Sequence, residues 1–241
     1  MMRIYFDCLT RIERLLLLCI NKKIIVQMNI IIRYCSKHLL MVAGALLLLL
    51  IAIPAYAHHP MEGMTPSTTV EGLLSGIGHP IIGIDHLAFV IGIGLAASFL
   101  SRGLAMPGFF VGATIIGTGI HLLAFDLPFV EVVISATVLL LGVMIFVKRS
   151  QPLTIWASVF IIAGIFHGYA YGEAIIGAEA TPLVSYLAGF GITQYLIAGA
   201  AFLIALKGQD AVEAKPIGTR LAGSFVAGVG FVFLFTAVAP F

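Results

Sequence analysis

The sequence is poor in charge and rich in apolar residues. Only 10% of its 241 residues are charged, whereas 61% are hydrophobic. A water-soluble domain cannot bury that much apolar surface, so the composition excludes a soluble globular protein and indicates a membrane protein. The formal net charge of +2 is too small to indicate a nucleic-acid partner.

The N-terminal part has the pattern of a targeting segment. Basic residues precede the apolar stretch Leu39–Ile53, and the small-x-small sequence that ends at Ala57 is typical of a cleavage site. We therefore expect residues 1–57 to be a signal segment. Residues 1–27 would be an artefact of the start site, since Met28 gives a basic region of ordinary length. The alternative is an uncleaved anchor helix.

Cysteine is missing from the rest of the chain. Its three cysteines, Cys8, Cys19 and Cys35, all precede the expected cleavage site. The mature protein would therefore contain neither a disulfide nor a thiolate–metal bond. Any metal ion would be held by imidazole, carboxylate, backbone oxygen or thioether.

Six long apolar segments predict a bundle of six membrane-spanning helices, because about 20 apolar residues make one crossing. The connecting loops are short, which favours antiparallel neighbours. The expected fold is all-α: a signal-peptide helix, an external segment at 58–78 and a six-helix domain at 79–241. The predicted spans are Ile81–Leu100, Gly108–Phe125, Val130–Val147, Leu153–Tyr171, Leu183–Leu206 and Leu221–Ala239.

Basic residues predict the orientation. After the cleavage site, Lys and Arg occur in the first, third and fifth loops, and the second and fourth loops contain none. Such residues favour the cytoplasmic side. We therefore expect a bacterial inner-membrane protein with both mature termini outside. The basic residues are Arg102, Lys148, Arg149, Lys207, Lys215 and Arg220.

Histidines and most carboxylates of the mature part fall on the opposite, external side. Three predicted helices each carry a histidine followed five or six residues later by an acid: His79 and Asp85, His121 and Asp126, His167 and Glu173. An ionisable group at the centre of a membrane helix costs about 2.5–3.5 kcal/mol on insertion scales. This clustering therefore indicates a function, and we favour capture of a divalent metal ion.

The tightest cluster is the run from His79 to His86, His-Pro-Ile-Ile-Gly-Ile-Asp-His. With Pro80 as the first helical residue, His79 is expected at the N-cap, two turns from His86 on the same face. Asp85 could ligate an ion or accept a ring N–H, and Gly83 would let an ion approach. Imidazole with carboxylate favours divalent ions over copper(I). The alternative is a polar cluster that fixes helix packing.

Further candidates follow along the chain. His167 borders a stripe of glycines at every fourth position, which predicts that its ring points into the bundle as a metal ligand or as a structural buried histidine. His121 and Glu131 could line the same basin, although Glu131 could equally face lipid headgroups. His58 and His59 would form the new N-terminus. The full metal-ligand prediction is His58, His59, His79, Asp85, His86, His121, Glu131, His167 and Glu173.

Three motifs occur in order: the His79–His86 run, Phe166-His167-Gly168-Tyr169-Ala170 with Glu173, and Tyr186-x-x-Gly189-Phe190. Together they resemble the HupE/UreJ family of bacterial membrane proteins over nearly the whole mature chain. The resemblance implies a permease for nickel or cobalt that serves hydrogenase or urease assembly. Two departures concern the metal: Tyr171 replaces a second histidine, and Ile197 lies near the position of another.

We therefore expect a permease, not an enzyme, that takes up Ni²⁺ or Co²⁺ as its transported ion and has no prosthetic group. Its partners would be the ion and the lipid bilayer, without nucleic acid, and a homo-oligomer is left open. Two alternatives remain from the sequence: an intramembrane metal-dependent hydrolase, and an accessory metal-binding protein without flux. The hydrolase is disfavoured because the chain contains no His-Glu-x-x-His pattern.

Overall fold

A computed structural model describes residues 64–147, 151–210 and 217–239, and the expected signal segment lies outside them. The regular secondary structure of the described part is all α-helix, which confirms the predicted all-α fold class. Its helices are α1 (Thr69–Ile82), α2 (Ile84–Ala97), α3 (Ala105–Leu122), α4 (Val130–Val147), α5 (Leu153–Glu173), α6 (Ala180–Asp210) and α7 (Ile217–Val238).

Five of the described helices, α3 to α7, are long and apolar enough to cross a membrane. A sixth span results if α1 and α2, which are bent by 79° at a short break, count as one. Large apolar side chains such as Leu196, Ile204 and Phe225 are more than half exposed. An apolar outer surface of this kind is suited to lipid, so the chain is a multi-pass membrane protein.

The first predicted span, Ile81–Leu100, is wrong in its start and in its shape. Helix α1 begins at Thr69, where Thr68 and Glu71 form a capping box, and it continues through Pro80 to Ile82. Pro80 is therefore in the last turn of a helix, and His79 is not an N-cap. Residues 69–78 of the expected external segment are helical.

The remaining predicted spans agree with the structure. Helix α4 has the predicted bounds, and α3, α5, α6 and α7 differ from the predictions by a few residues at their ends. Such differences are ordinary at helix termini, where capping rather than hydropathy decides the last turn.

The helices pack as three close pairs, α1 with α6, α3 with α5 and α4 with α7, around the central helix α2. Glycines make the close approach possible. A side chain at Gly76 would meet the Tyr186 carbonyl of α6, and one at Gly168 would meet the Thr114 carbonyl of α3. Small residues at helix contacts are the usual basis of close packing in membranes. Helix α2, with ten of its fourteen residues buried, is thereby enclosed.

Hydrogen bonds mark the two ends of the bundle. At one end, Thr65 donates to the carbonyl of Ile176 between α5 and α6, at 3.1 Å. At the other, the Tyr195 hydroxyl of α6 donates to the Leu104 carbonyl at 3.0 Å, close to the loop that carries Arg102. The bend between α1 and α2 packs against the last turns of α5 and the first half of α6. It therefore lies toward the first of these ends.

Candidate metal site at the bend between α1 and α2

Gly83 forms the bend. Its N–H donates to the His79 carbonyl at 3.2 Å and ends α1, and its carbonyl accepts from Leu87 N–H at 2.8 Å and begins α2. Its φ of −71° is open to any residue. The reason for glycine is steric: a Cβ atom here would lie 2.6 Å from Cδ2 of His86. The missing side chain lets the His86 ring pack against the bend.

Five buried side chains gather around this bend: His79, His86, His167, Tyr171 and Tyr186. The Tyr171 ring centroid lies 4.7 Å from that of His79 and 4.6 Å from that of His86. The His86 and His167 centroids are 4.9 Å apart, and those of His79 and His86 are 5.8 Å apart. The structure thus brings together three of the predicted ligands, one from each of α1, α2 and α5.

The contact with Tyr186 indicates which nitrogen of His79 carries the proton. The Tyr186 hydroxyl donates to the Tyr171 backbone carbonyl at 2.7 Å and lies 2.9 Å from Nδ1 of His79. A tyrosine hydroxyl has one proton, so at the second contact its oxygen accepts. Nδ1 of His79 therefore carries the hydrogen, and the lone pair is on Nε2.

Thr137 acts in the same way on His167. Its hydroxyl donates to the Ile134 carbonyl at 2.7 Å and lies 3.4 Å from Nε2 of His167. Because the threonine proton is already used, Nε2 of His167 is the donor in this long contact and Nδ1 carries the lone pair. Nδ1 of His167 lies 2.8 Å from Nδ1 of His86. His86 therefore donates there, and its own lone pair is on Nε2.

The two hydrogen-bond chains indicate the same tautomer for His79 and His86, with a lone pair on Nε2 of each ring that could bind a metal ion. A metal–imidazole bond of about 2.0–2.1 Å puts the centroids of two rings on one ion about 4.5–6.4 Å apart. The observed separation of 5.8 Å falls in this range. In this arrangement His167 orients His86.

Asp85 supplies the negative charge beside these rings. It is 7% exposed and lies in the first turn of α2, where its Oδ1 accepts from the backbone N–H of His86 at 2.9 Å. The N-terminus of a helix stabilises a carboxylate. One carboxylate oxygen is therefore engaged by the backbone in the first turn of α2, at the residue directly before His86.

His121 packs elsewhere. It is half-buried, with its ring centroid 4.3 Å from Tyr169 and its Cβ against Gly172 of α5. Tyr169 and Tyr171 are two residues apart, which is about 200° around a helix, so they face different sides of α5. His121 thus lies on the other side of α5 from the contacts of Tyr171. A role for His121 in the same basin stays a prediction.

The other predicted ligands lie at the ends of helices or outside the described residues. Glu131, in the first turn of α4, and Glu173, the last residue of α5, have exposed side chains. The hydroxyl of Ser135 donates to the backbone carbonyl of Glu131 at 2.7 Å, not to its carboxylate. His58 and His59 lie in the part of the chain that the structure does not describe.

Within the described ranges, no group of three or more His, Cys, Asp or Glu side chains is arranged to hold a metal ion. If His79 and His86 bind an ion, a third donor would have to come from another residue type, from water or from a rearranged carboxylate. Tyr171 and Tyr186, which contact these rings, were not predicted as site residues. Their buried hydroxyl groups in an apolar span were the available signal.

A second polar contact lies between α3 and α6. Gln194 and Thr114 are both fully buried, and the Thr114 hydroxyl is 3.4 Å from Oε1 of Gln194. The sequence favours an interhelical hydrogen bond for Thr193-Gln194 over a ligand role. This long contact agrees with that interpretation.

Known sequences resemble the chain across the whole of this region. A model of the family described as HupE / UreJ protein matches residues 46–233. Protein HupE of Rhizobium leguminosarum bv. viciae is 31% identical over 188 residues, which cover 76% of this chain and 93% of that protein. No solved structure matches the chain. The matched residues include the bend and helices α1 to α6 entirely.

Proposed function

The chain belongs to the HupE/UreJ family of membrane proteins, and from this premise we propose that it is a permease for a divalent transition-metal ion, nickel first and cobalt second. Membership favours a transporter over an enzyme. The ion would be cargo and no prosthetic group would be needed. The protein would lie in a bacterial inner membrane, with both mature termini outside, and would supply hydrogenase or urease maturation.

One observation carries the proposal: the buried imidazoles of His79 and His86 each use Nδ1 in a short contact, with the Tyr186 hydroxyl at 2.9 Å and with Nδ1 of His167 at 2.8 Å, which favours a lone pair on Nε2 of both rings. In each hydrogen-bond chain a hydroxyl group donates its own hydrogen to a backbone carbonyl, so it can only accept from the histidine that it contacts. These hydroxyls belong to Tyr186, which contacts His79, and to Thr137, which contacts His167 and through it affects His86. Neutral imidazole is the ligand form that suits nickel and cobalt. Ionisable residues inside a membrane-spanning bundle are rare and usually mark a functional site.

Weak binding of the ion is suited to transport, because the ion must be released after it is bound. Two neutral nitrogens next to the carboxylate of Asp85 attract a divalent cation but do not form a closed cage, so the ion can also leave. A membrane potential of 100 mV contributes about 2.3 kcal/mol for each elementary charge, and twice that for a divalent ion. An inside-negative potential could therefore drive uptake without a nucleotide.

The outer residues would act earlier. In this proposal His58, His59, His121, Glu131 and Glu173 collect the ion at the external mouth, and His79, Asp85 and His86 receive it at the bend, with His167 holding His86 in position. Loss of an outer residue would raise the nickel concentration needed for half-maximal uptake. Loss of His86 would reduce the maximal rate.

The test is nickel accumulation by cells that produce His86→Ala or Asp85→Ala. We expect accumulation to fall at least about tenfold, because one of two nitrogens, or the charge that balances the ion, is removed. The amount of protein in the membrane should not change. Normal accumulation by both variants at wild-type expression would refute the role of the bend.

A control separates imidazole loss at the bend from imidazole loss in general. His121→Ala removes the same chemical group from the other side of α5. We expect it to keep the maximal rate and to raise only the half-saturating concentration. A loss of maximal rate equal to that of His86→Ala would contradict the separation of mouth and bend.

A further inference from the structure

The hydroxyl of Tyr171 is a buried polar group that takes part in none of the hydrogen bonds described above. The Tyr171 side chain is fully buried, and its hydroxyl has no hydrogen-bond partner among the residues that the structure describes. Burying a hydroxyl without a partner costs about 1–3 kcal/mol. Phenylalanine would fill the same space without that cost, so the hydroxyl requires an explanation.

The surroundings of Tyr171 point to a ligand. Its ring makes edge contacts with the rings of His79 and His86, at 4.7 and 4.6 Å between centroids. Its backbone carbonyl is the acceptor that fixes the Tyr186 proton, and so the tautomer of His79. Tyr171 is therefore held by its main chain and packed by its side chain against both nitrogen donors.

We propose that the Tyr171 hydroxyl oxygen is the third donor of the ion site, together with Nε2 of His79 and Nε2 of His86. The phenol keeps its proton and binds the ion through an oxygen lone pair. The site then has two nitrogens and one oxygen, which supplies the third donor that His, Asp and Glu side chains do not. This inference rests on the proposed transport function and concerns how the site selects its ion.

The donor set determines selectivity. Imidazole suits nickel, whereas oxygen donors suit manganese and magnesium. An oxygen donor at Tyr171 would make the site less selective for nickel over manganese than a site with three imidazoles. A substitution that only destabilises the fold is expected to weaken the binding of both ions alike, so the ratio of the two affinities is the informative measurement.

The experiment measures equilibrium binding of Ni²⁺ and of Mn²⁺ to the purified full-length protein in detergent, for the wild type, Tyr171→Phe and Tyr171→His. We expect Tyr171→Phe to lose about tenfold in Mn²⁺ affinity and less in Ni²⁺ affinity. Tyr171→His should bind Ni²⁺ more tightly than the wild type, and its preference for Ni²⁺ over Mn²⁺ should increase at least about tenfold. Tyr195→Phe is the matched control, because it removes a phenol hydroxyl from an exposed position on α6.

The outcomes distinguish the two claims. If the wild type binds neither ion, the proposed function fails. If the wild type binds Ni²⁺ but Tyr171→Phe has the same two affinities, or loses both by the same factor, the proposed function stands and the third donor is refuted. Tyr171→His retains a buried ring with a donor atom, so it tests selectivity even where Tyr171→Phe is poorly folded.

Discussion

At the scale of single residues, the hydroxyl of Tyr186 links structure to chemistry. Its oxygen accepts a hydrogen bond from Nδ1–H of His79, and its O–H donates to the Tyr171 carbonyl. A histidine with the other tautomer would present an N–H at Nε2 and repel a cation. In the proposed site, one hydroxyl on α6 would thus determine whether a nitrogen on α1 can bind an ion.

We predict that Tyr186→Phe weakens Ni²⁺ binding by about 10- to 100-fold, the usual effect of losing a group that orients a histidine ligand. The substitution also removes the hydrogen-bond partner of a buried N–H and of a buried carbonyl. The free energy of unfolding should therefore fall by about 1–3 kcal/mol for each lost hydrogen bond. Equilibrium dialysis and thermal unfolding in detergent measure the two effects.

The control is again Tyr195→Phe, whose exposed hydroxyl contacts only the Leu104 carbonyl among the hydrogen bonds described above. It should leave Ni²⁺ affinity unchanged. Unaltered affinity in Tyr186→Phe would mean that the His79 tautomer does not govern binding.

The sequence identified the residues at the bend but not the bend itself. The seven-residue spacing predicted that His79 and His86 share one face of a helix, two turns apart. In the structure the helix is interrupted at Gly83 between them, and their ring centroids are 5.8 Å apart. The contact of His79 with Tyr186 could not be predicted, because it joins residues 107 positions apart through the packing of α1 on α6.

At the scale of elements, the break at Gly83 creates the site. It turns the chain by 79° and brings the last turn of α1 and the first turn of α2 to one place. A Cβ atom at this position would collide with the His86 ring, although the backbone conformation itself would accept alanine. Steric exclusion at one residue therefore positions the ring of another.

We predict that Gly83→Ala displaces the His86 ring and lowers Ni²⁺ affinity at least about tenfold, while the protein remains helical and in the membrane. Circular dichroism and equilibrium dialysis on the purified variant measure both. Gly119→Ala on α3 is the matched control, since a Cβ there would meet no atom of the described residues within 4 Å, apart from its own helix backbone and chain neighbours. If Gly83→Ala bound Ni²⁺ as tightly as Gly119→Ala, the glycine would not be needed for the site.

The bounds of α1 were missed although the sequence contained a signal. Thr68 and Glu71 have the spacing of a capping box, and the structure has both hydrogen bonds, at 3.2 and 3.1 Å. Proline at the first helical position and proline within a bent helix are not distinguished by local sequence. By contrast, α4 was predicted in full because its apolar run has sharp ends.

At the scale of the whole molecule, polar groups are distributed unevenly. The buried rings of His79 and His86 lie where α5 ends and α6 begins. Two exposed basic residues lie elsewhere: Arg102 in the loop after α2, and Lys207 near the end of α6. The positive-inside rule predicts that the end with the basic residues faces the cytoplasm. The site would then open toward the outside.

This orientation can be tested with single cysteines, since the part after the expected cleavage site has none. Thr181 and Ser101 are exposed at opposite ends of the bundle and suit substitution. We predict that a membrane-impermeant maleimide labels Thr181→Cys in intact cells and Ser101→Cys only after the membrane is opened. The reverse pattern would invert the topology and leave the site facing the cytoplasm.

Flux through reconstituted protein tests the central claim most directly, because it separates a permease from a protein that only binds metal. Proteoliposomes with an inside-negative potential and external Ni²⁺ should accumulate the ion when they contain the wild type. Those with His86→Ala should accumulate no more than protein-free vesicles. Equal accumulation in wild-type and empty vesicles, or undiminished flux in His86→Ala, would contradict the account.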